Sequence, residues 1–215
     1  MRSEDNLIPW SARVKNELIQ HYDKSENNRR AELTAIMILN GGSVHRDEIT
    51  GKYVYEEQSS FGKNNFTDRR KTYNIKSEID LSRDPKEIYR DFESKRAFLR
   101  GAFIASGSFT DPNKSYHFEI TTDILWQAEE LKQLMSEFDI NSRIMERRGK
   151  YVAYLKDGSA IVSVLNVIGA HRTLLEFENI RILKEMRESV NRQVNCETAN
   201  IKKRSEERRV GKECR

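Results

Sequence analysis

Apolar residues recur along this chain with two periods, one near 3.6 residues and one near 2, and the switches between them lay out its elements. From Ser11 to Tyr22, Val14, Leu18 and Ile19 fall on one helical face. A second helix is predicted to begin near Asn28 in RRAELTAIMILNGG, stopped by Gly41 and Gly42. The polar stretch Gly51 to Asn65, rich in Ser, Asn and Gly, reads as loop. Lys71 to Leu81 alternates Tyr73, Ile75, Ile79 and Leu81 with polar neighbours and reads as a strand. SKRAFLRGAFIASG is a helix ending at Gly107, and YHFEITT a strand with Tyr116, Phe118 and Ile120 on one face. A helix from about Ile124 to Phe138 precedes two strands, NSRIMERR and KYVAYLK, joined by a tight turn at Gly149. Ser159 to Ile168 is a short apolar helix closed by Gly169. A long polar helix, about Arg172 to Ile201, carries Leu175, Ile182, Met186 and Val190 as its apolar stripe.

Two of these segments repeat. Leu33 to Val44 and Leu99 to Phe109 are both apolar helices that close on Gly and pass through Ser into a strand. The pairs Arg69/Arg70 and Arg147/Arg148 echo each other at the start of a strand in each half. The helices stand 66 residues apart and the arginine pairs 78, so the first half is shorter by about twelve residues, roughly a three-turn helix. Paired lobes, each entered by an apolar helix, suggest that the two helices pack about a pseudo-twofold axis. Gly101 and Ala105, spaced i, i+4, would let the backbones approach. Taken singly, each segment also reads as an ordinary core helix.

Composition narrows the function classes. The 215 residues are 33% charged, with no run near the roughly 20 apolar residues of a membrane span and no apolar signal segment after Met1. Cys196 and Cys214 suggest neither a disulfide framework nor a zinc site, and fit a reducing cytosol. The net charge is +4, but Arg204 to Arg215 alone contribute five basic and three acidic residues, which leaves +2 elsewhere. Only local clustering can then argue for phosphate binding. Such a cluster is Arg143, Arg147, Arg148 and Lys150 on one hairpin, with Arg69, Arg70 and Lys71 as its counterpart. These side chains could contact phosphates or reach bases in the major groove, which admits a two-stranded ribbon; the other reading is a solvated hairpin. His21, His45, His117 and His171 have no metal-ligand spacing, and no P-loop, dinucleotide turn or nucleophile elbow is present.

Leu99-Arg-Gly-Ala-Phe-Ile-Ala-Ser-Gly107 resembles the LAGLIDADG helix of homing endonucleases at Leu99, Gly101, Ala105 and Gly107, and Leu33 to Gly41 resembles it at Leu33 and Gly41. KRAFLRGAFIASGSFTDPNKSYHFEI, IGAHRTLLEFENIRILKEMRESVNR and VNCETAN are similar to the WhiA family of bacterial sporulation and cell-division regulators. That resemblance covers Lys95 to Ile201, is fair over Val14 to Val44 and poor over Arg46 to Phe92. It implies an α+β, LAGLIDADG-like fold of two pseudo-symmetric αββαββα lobes, at 10–93 (shortened) and 94–190. Residues 191–203 would lead toward a helix-turn-helix that this sequence does not contain, and 204–215 is expected to be non-native. In active endonucleases the eighth motif letter is an acid that binds Mg²⁺ from each helix. Here those letters are Asn40 and Ser106, neutral groups that ligate a hard cation weakly. Asp111 is nearby, but Asp-Pro after a strand reads as a turn. The expectation is a non-catalytic regulator needing no metal or cofactor. Double-stranded DNA and other transcription regulators are its implied partners, and the cytoplasm with its nucleoid its place. A protein-interaction scaffold and an active endonuclease are the alternatives.

Overall fold

A computed structural model of the chain describes residues 8–39, 43–46, 53–56 and 89–213. The chain divides into two compact units, Met1–Leu175 and Glu176–Arg215. In the first unit, helices α1 (Trp10–Gln20) and α2 (Glu26–Leu39) precede a two-stranded antiparallel ribbon, β1 (Ser43–Arg46) with β2 (Tyr53–Glu56). After the next described segment comes the complete αββαββα succession. It consists of α3 (Phe92–Ser106), β3 (Gly107–Phe109), β4 (Phe118–Thr122), α4 (Leu125–Ser136), β5 (Arg143–Arg147), β6 (Lys150–Leu155) and α5 (Gly158–Ile168). Helix α6 (His171–Glu213) starts in the first unit and supplies the second.

Local chemistry sets these boundaries. Asp91 caps α3 by accepting the Ser94 N–H at 2.9 Å, and that bond holds its carboxyl below its ordinary value. Asp157 caps α5 through the Ala160 N–H, and Gly169, at φ +89°, ends it in the left-handed conformation that Gly enters without strain. Helix α6 is capped from outside: Glu17 on α1 accepts the N–H groups of Arg172 and Thr173 and the Thr173 hydroxyl, at 2.6, 3.0 and 2.6 Å.

The strands of the larger sheet run β3-β4-β6-β5, all antiparallel. Period-two alternation gives the sheet a core face, where Phe118, Ile120, Ala153 and Leu155 are buried. Phe118 stacks on Phe103 of α3, ring centroids 4.9 Å apart. Leu131, Leu134 and Met135 of α4 are buried as well. Each such large apolar side chain contributes about 1.5–3 kcal/mol by leaving water.

Several sequence expectations change here. Tyr53–Glu56 is a strand inside the stretch read as loop, because its aromatic and β-branched residues suit a pleated ribbon despite polar flanks. Strand β4 starts at Phe118, not Tyr116. Ile19 is partly exposed and stands off the α1 face that buries Val14 and Leu18. The stripe residues Ile182, Met186 and Val190 on α6 are half exposed or more. The strand expected over Lys71 to Leu81 lies outside the described residues.

Candidate nucleic-acid interface

The two motif helices meet closely. Among the described elements, helices α2 and α3 form the most extensively packed pair. Leu33 on α2, Leu99, Gly101 and Ala105 on α3 and Gly107, which caps α3 and opens β3, are all buried. At Gly101 the absence of a side chain is a geometric requirement, since a Cβ would come within 2.2 Å of the Glu32 carbonyl oxygen. The small-residue seam read from the sequence is therefore backbone against backbone. Ser106 stands at the end of α3, its Oγ buried and without a hydrogen-bond partner. Asn40 and Gly41 lie outside the described residues.

The seam also holds a charged lock that periodicity did not reveal. Arg100, 4% exposed, donates from Nε to Glu32 Oε2 at 2.8 Å and from Nη2 to Asp23 Oδ2 at 3.2 Å. Glu32 is wholly buried, and Asp23 is held in turn by the Asn28 amide. One signal was available: an Arg in RAFLRGAF and a Glu in AELTAIM each interrupt an apolar face, and buried charges come paired.

The outer face of the sheet carries the cations. The register sets Arg143 opposite Tyr154, Met145 opposite Val152 and Arg147 opposite Lys150, so Arg143, Arg147 and Lys150 share one face. Glu119 and Ser108 continue the Arg143–Tyr154 row across β4 and β3. The arginine pair does not open a strand, as expected, but closes one. Arg147 ends β5, and Arg148 and Gly149, at φ +56° and +74°, make a type I′ turn. Arg69, Arg70 and Lys71, the proposed counterparts, lie outside the described residues.

Two of these cations already hold acids. Arg147 donates to Glu119 Oε1 at 2.9 Å, and His117 lies 2.9 Å from Glu119 Oε2. Lys150 pairs with Asp123 at 2.8 Å, both about half exposed. Burial by itself would raise the Glu119 carboxyl; hydrogen bonds and charge from Arg147 and His117 outweigh it and hold the group below its ordinary value. Glu119 was missed from the sequence because an acid within an alternating strand looks like any solvated polar position. Asp111 forms the expected turn, its Oδ1 accepting the Asn113 backbone and side-chain N–H groups. Among the described residues no group of three or more His, Cys, Asp or Glu could hold a metal ion. No helix among them is long and apolar enough to cross a membrane.

Comparison with known proteins places this geometry. The family model described as the WhiA LAGLIDADG-like domain matches residues 95–187. A protein of Lachnoclostridium phytofermentans named probable cell division protein WhiA is 35% identical over 238 residues, 91% of this chain and 76% of its own length. The chain belongs to the WhiA family. A second WhiA protein, from Alkaliphilus metalliredigens, is 51% identical over 121 residues, 56% of this chain and 38% of that protein. The crystal structure of full-length DUF199/WhiA from Thermatoga maritima superposes with a TM-score of 0.69 at 25% identity, covering 90% of this chain and 73% of that one. The LAGLIDADG-like α+β fold expected from the sequence is thus the fold found. The match to the Lachnoclostridium protein spans more residues than this chain possesses, so WhiA relatives carry residues that this chain lacks within the matched region.

Proposed function

We propose that this chain is a DNA-associated regulator of the WhiA type, acting on genes of cell division, chromosome segregation or sporulation, whose LAGLIDADG-like fold binds duplex without cutting it. The observation that carries the reading is the outer face of the β3-β4-β6-β5 sheet, where the hairpin aligns Arg143, Arg147 and Lys150 and its turn adds Arg148. A two-stranded ribbon of this kind fits the major groove, and aligned guanidinium groups suit phosphates and guanine edges. Absence of cleavage rests on Ser106, a neutral group at a motif position that would have to supply a carboxylate to a divalent cation. Asn40, also neutral, is the other such position.

The pairing of Arg147 with Glu119 and of Lys150 with Asp123 favours a second reading, a half-neutralised face that docks protein rather than DNA. Gel shifts of duplex over a range of salt concentrations, with and without Mg²⁺, separate the readings. Binding that falls steeply with salt, flattens when Arg147, Arg148 and Lys150 are neutralised together, and leaves the duplex intact supports regulation through DNA. No binding at low salt supports the scaffold, and Mg²⁺-dependent cutting sinks both.

A further inference from the structure

At the end of the sheet away from the hairpin turn lies an open groove of about 870 Å³, within the size range of small-molecule sites. Lys132 of α4, Arg143 at the start of β5 and Lys156 just after β6 bring three cations to it from three elements. Ser142 lines the same groove and is 5% exposed, yet its Oγ has no hydrogen-bond partner. A buried hydroxyl without a partner is an uncompensated desolvation cost at the groove wall. Asn141 adds an exposed amide, and the half-buried Tyr154 ring carries the Lys156 ammonium 5.4 Å from its centroid. The two acids of the lining do not cancel this set. Asp157 also caps α5, and with Asp139 it sets two carboxylates against three cations, which leaves the lining net positive by one.

From this we infer that the groove is a binding site for a phosphate group. Arg143 presents a planar fork able to take two oxygens at once, while Lys132 and Lys156 act as point charges from other directions. Phosphate carries more charge and more acceptor oxygens than a carboxylate, and so matches three cations arriving from different directions better. The volume exceeds that of one phosphate and leaves room for the remainder of a nucleotide-sized ligand. The phosphate belongs either to a free nucleotide or to duplex lying along the outer face, since Arg143 is four residues, about 13 Å, from Arg147 along β5. With duplex as the source the site rests on the duplex reading, whereas a free nucleotide would bind independently of it.

The test is an assigned amide NMR titration of the full chain with ADP, with adenosine and with a short duplex, repeated on the Lys132→Gln, Arg143→Gln variant. Both positions line an open groove and the variant spectrum reports retention of fold. ADP is expected to shift the signals of Asn141 to Arg143 and Lys156 to Ala160 saturably, adenosine to leave them still, and the variant to bind about tenfold or more weakly, the loss of at least one charge-assisted hydrogen bond. The same shifts produced by duplex alone, and lost in the variant, assign the phosphate to the DNA backbone. If neither probe moves these signals, or the variant binds as well as the parent, the site is overturned. Duplex binding weakened only by Arg147 and Arg148 changes, with no ADP shifts at the groove, would remove the groove and leave the duplex reading. ADP binding without any duplex binding would do the reverse.

Discussion

Arg100 is the residue on which the seam between the motif helices turns. Its guanidinium and the Glu32 carboxylate are both out of water, and neither can relax toward solvent if its partner is removed. Arg100→Met should destabilise the chain by about 3–5 kcal/mol, whereas Arg100→Met with Glu32→Leu should return most of that, because it removes both deeply buried charges and leaves Asp23 to the Asn28 amide. Urea unfolding of the parent, single and double variants measures the difference. A single variant as stable as the parent would mean that solvent reaches the pair. Glu119 follows a different logic. Its carboxyl is held below the ordinary 4.5 by Arg147 and His117, so the folded state gains from its ionised form above that pH and loses the gain as acid protonates it. Glu119→Gln should therefore cost stability at neutral pH, and the gap to the parent should narrow as pH falls through the acid range. Equal pH profiles would contradict the assigned contacts. The same substitution releases Arg147 and should raise duplex affinity at low salt.

At the scale of elements, the hairpin turn carries a residue that stability alone would not choose. Arg148 adopts φ +56° in a type I′ turn, where Gly or Asn is favoured and other side chains cost about 1–2 kcal/mol. Arg148→Gly should raise the melting temperature while weakening duplex binding. A variant improved in both would show that the side chain has no role at the tip. Elements were also what the sequence rendered best. Period-3.6 runs closed by Gly located α2, α3 and α5, and period-two runs around a Gly located β5 and β6. The Tyr53–Glu56 strand was hidden because four residues within polar flanks give no period to read. The ion pairs were hidden for another reason: Arg100 with Glu32, and Arg147 with Glu119, join residues 68 and 28 positions apart. Nothing in a local pattern links them.

For the molecule as a whole, stability is distributed unevenly. Helix α3 and strands β4 and β6 share the core with Phe103, Phe118 and Leu155, while the later turns of α6 expose Met186, Val190, Val194 and Ile201. Native-state hydrogen exchange should find the slowest amides in α3, β4 and β6 and early exchange beyond about Val190, where opening needs no core disruption. Uniform protection along α6 would mean that its exposed stripe is covered in solution. The seam has one more consequence, because the repeat is not self-complementary. The offset of 66 residues puts Thr34 where Arg100 stands and Phe98 where Glu32 stands. A lobe paired with its own copy would bury arginine with no carboxylate to meet it, so the two halves made as separate polypeptides would complement each other and refuse to form homodimers.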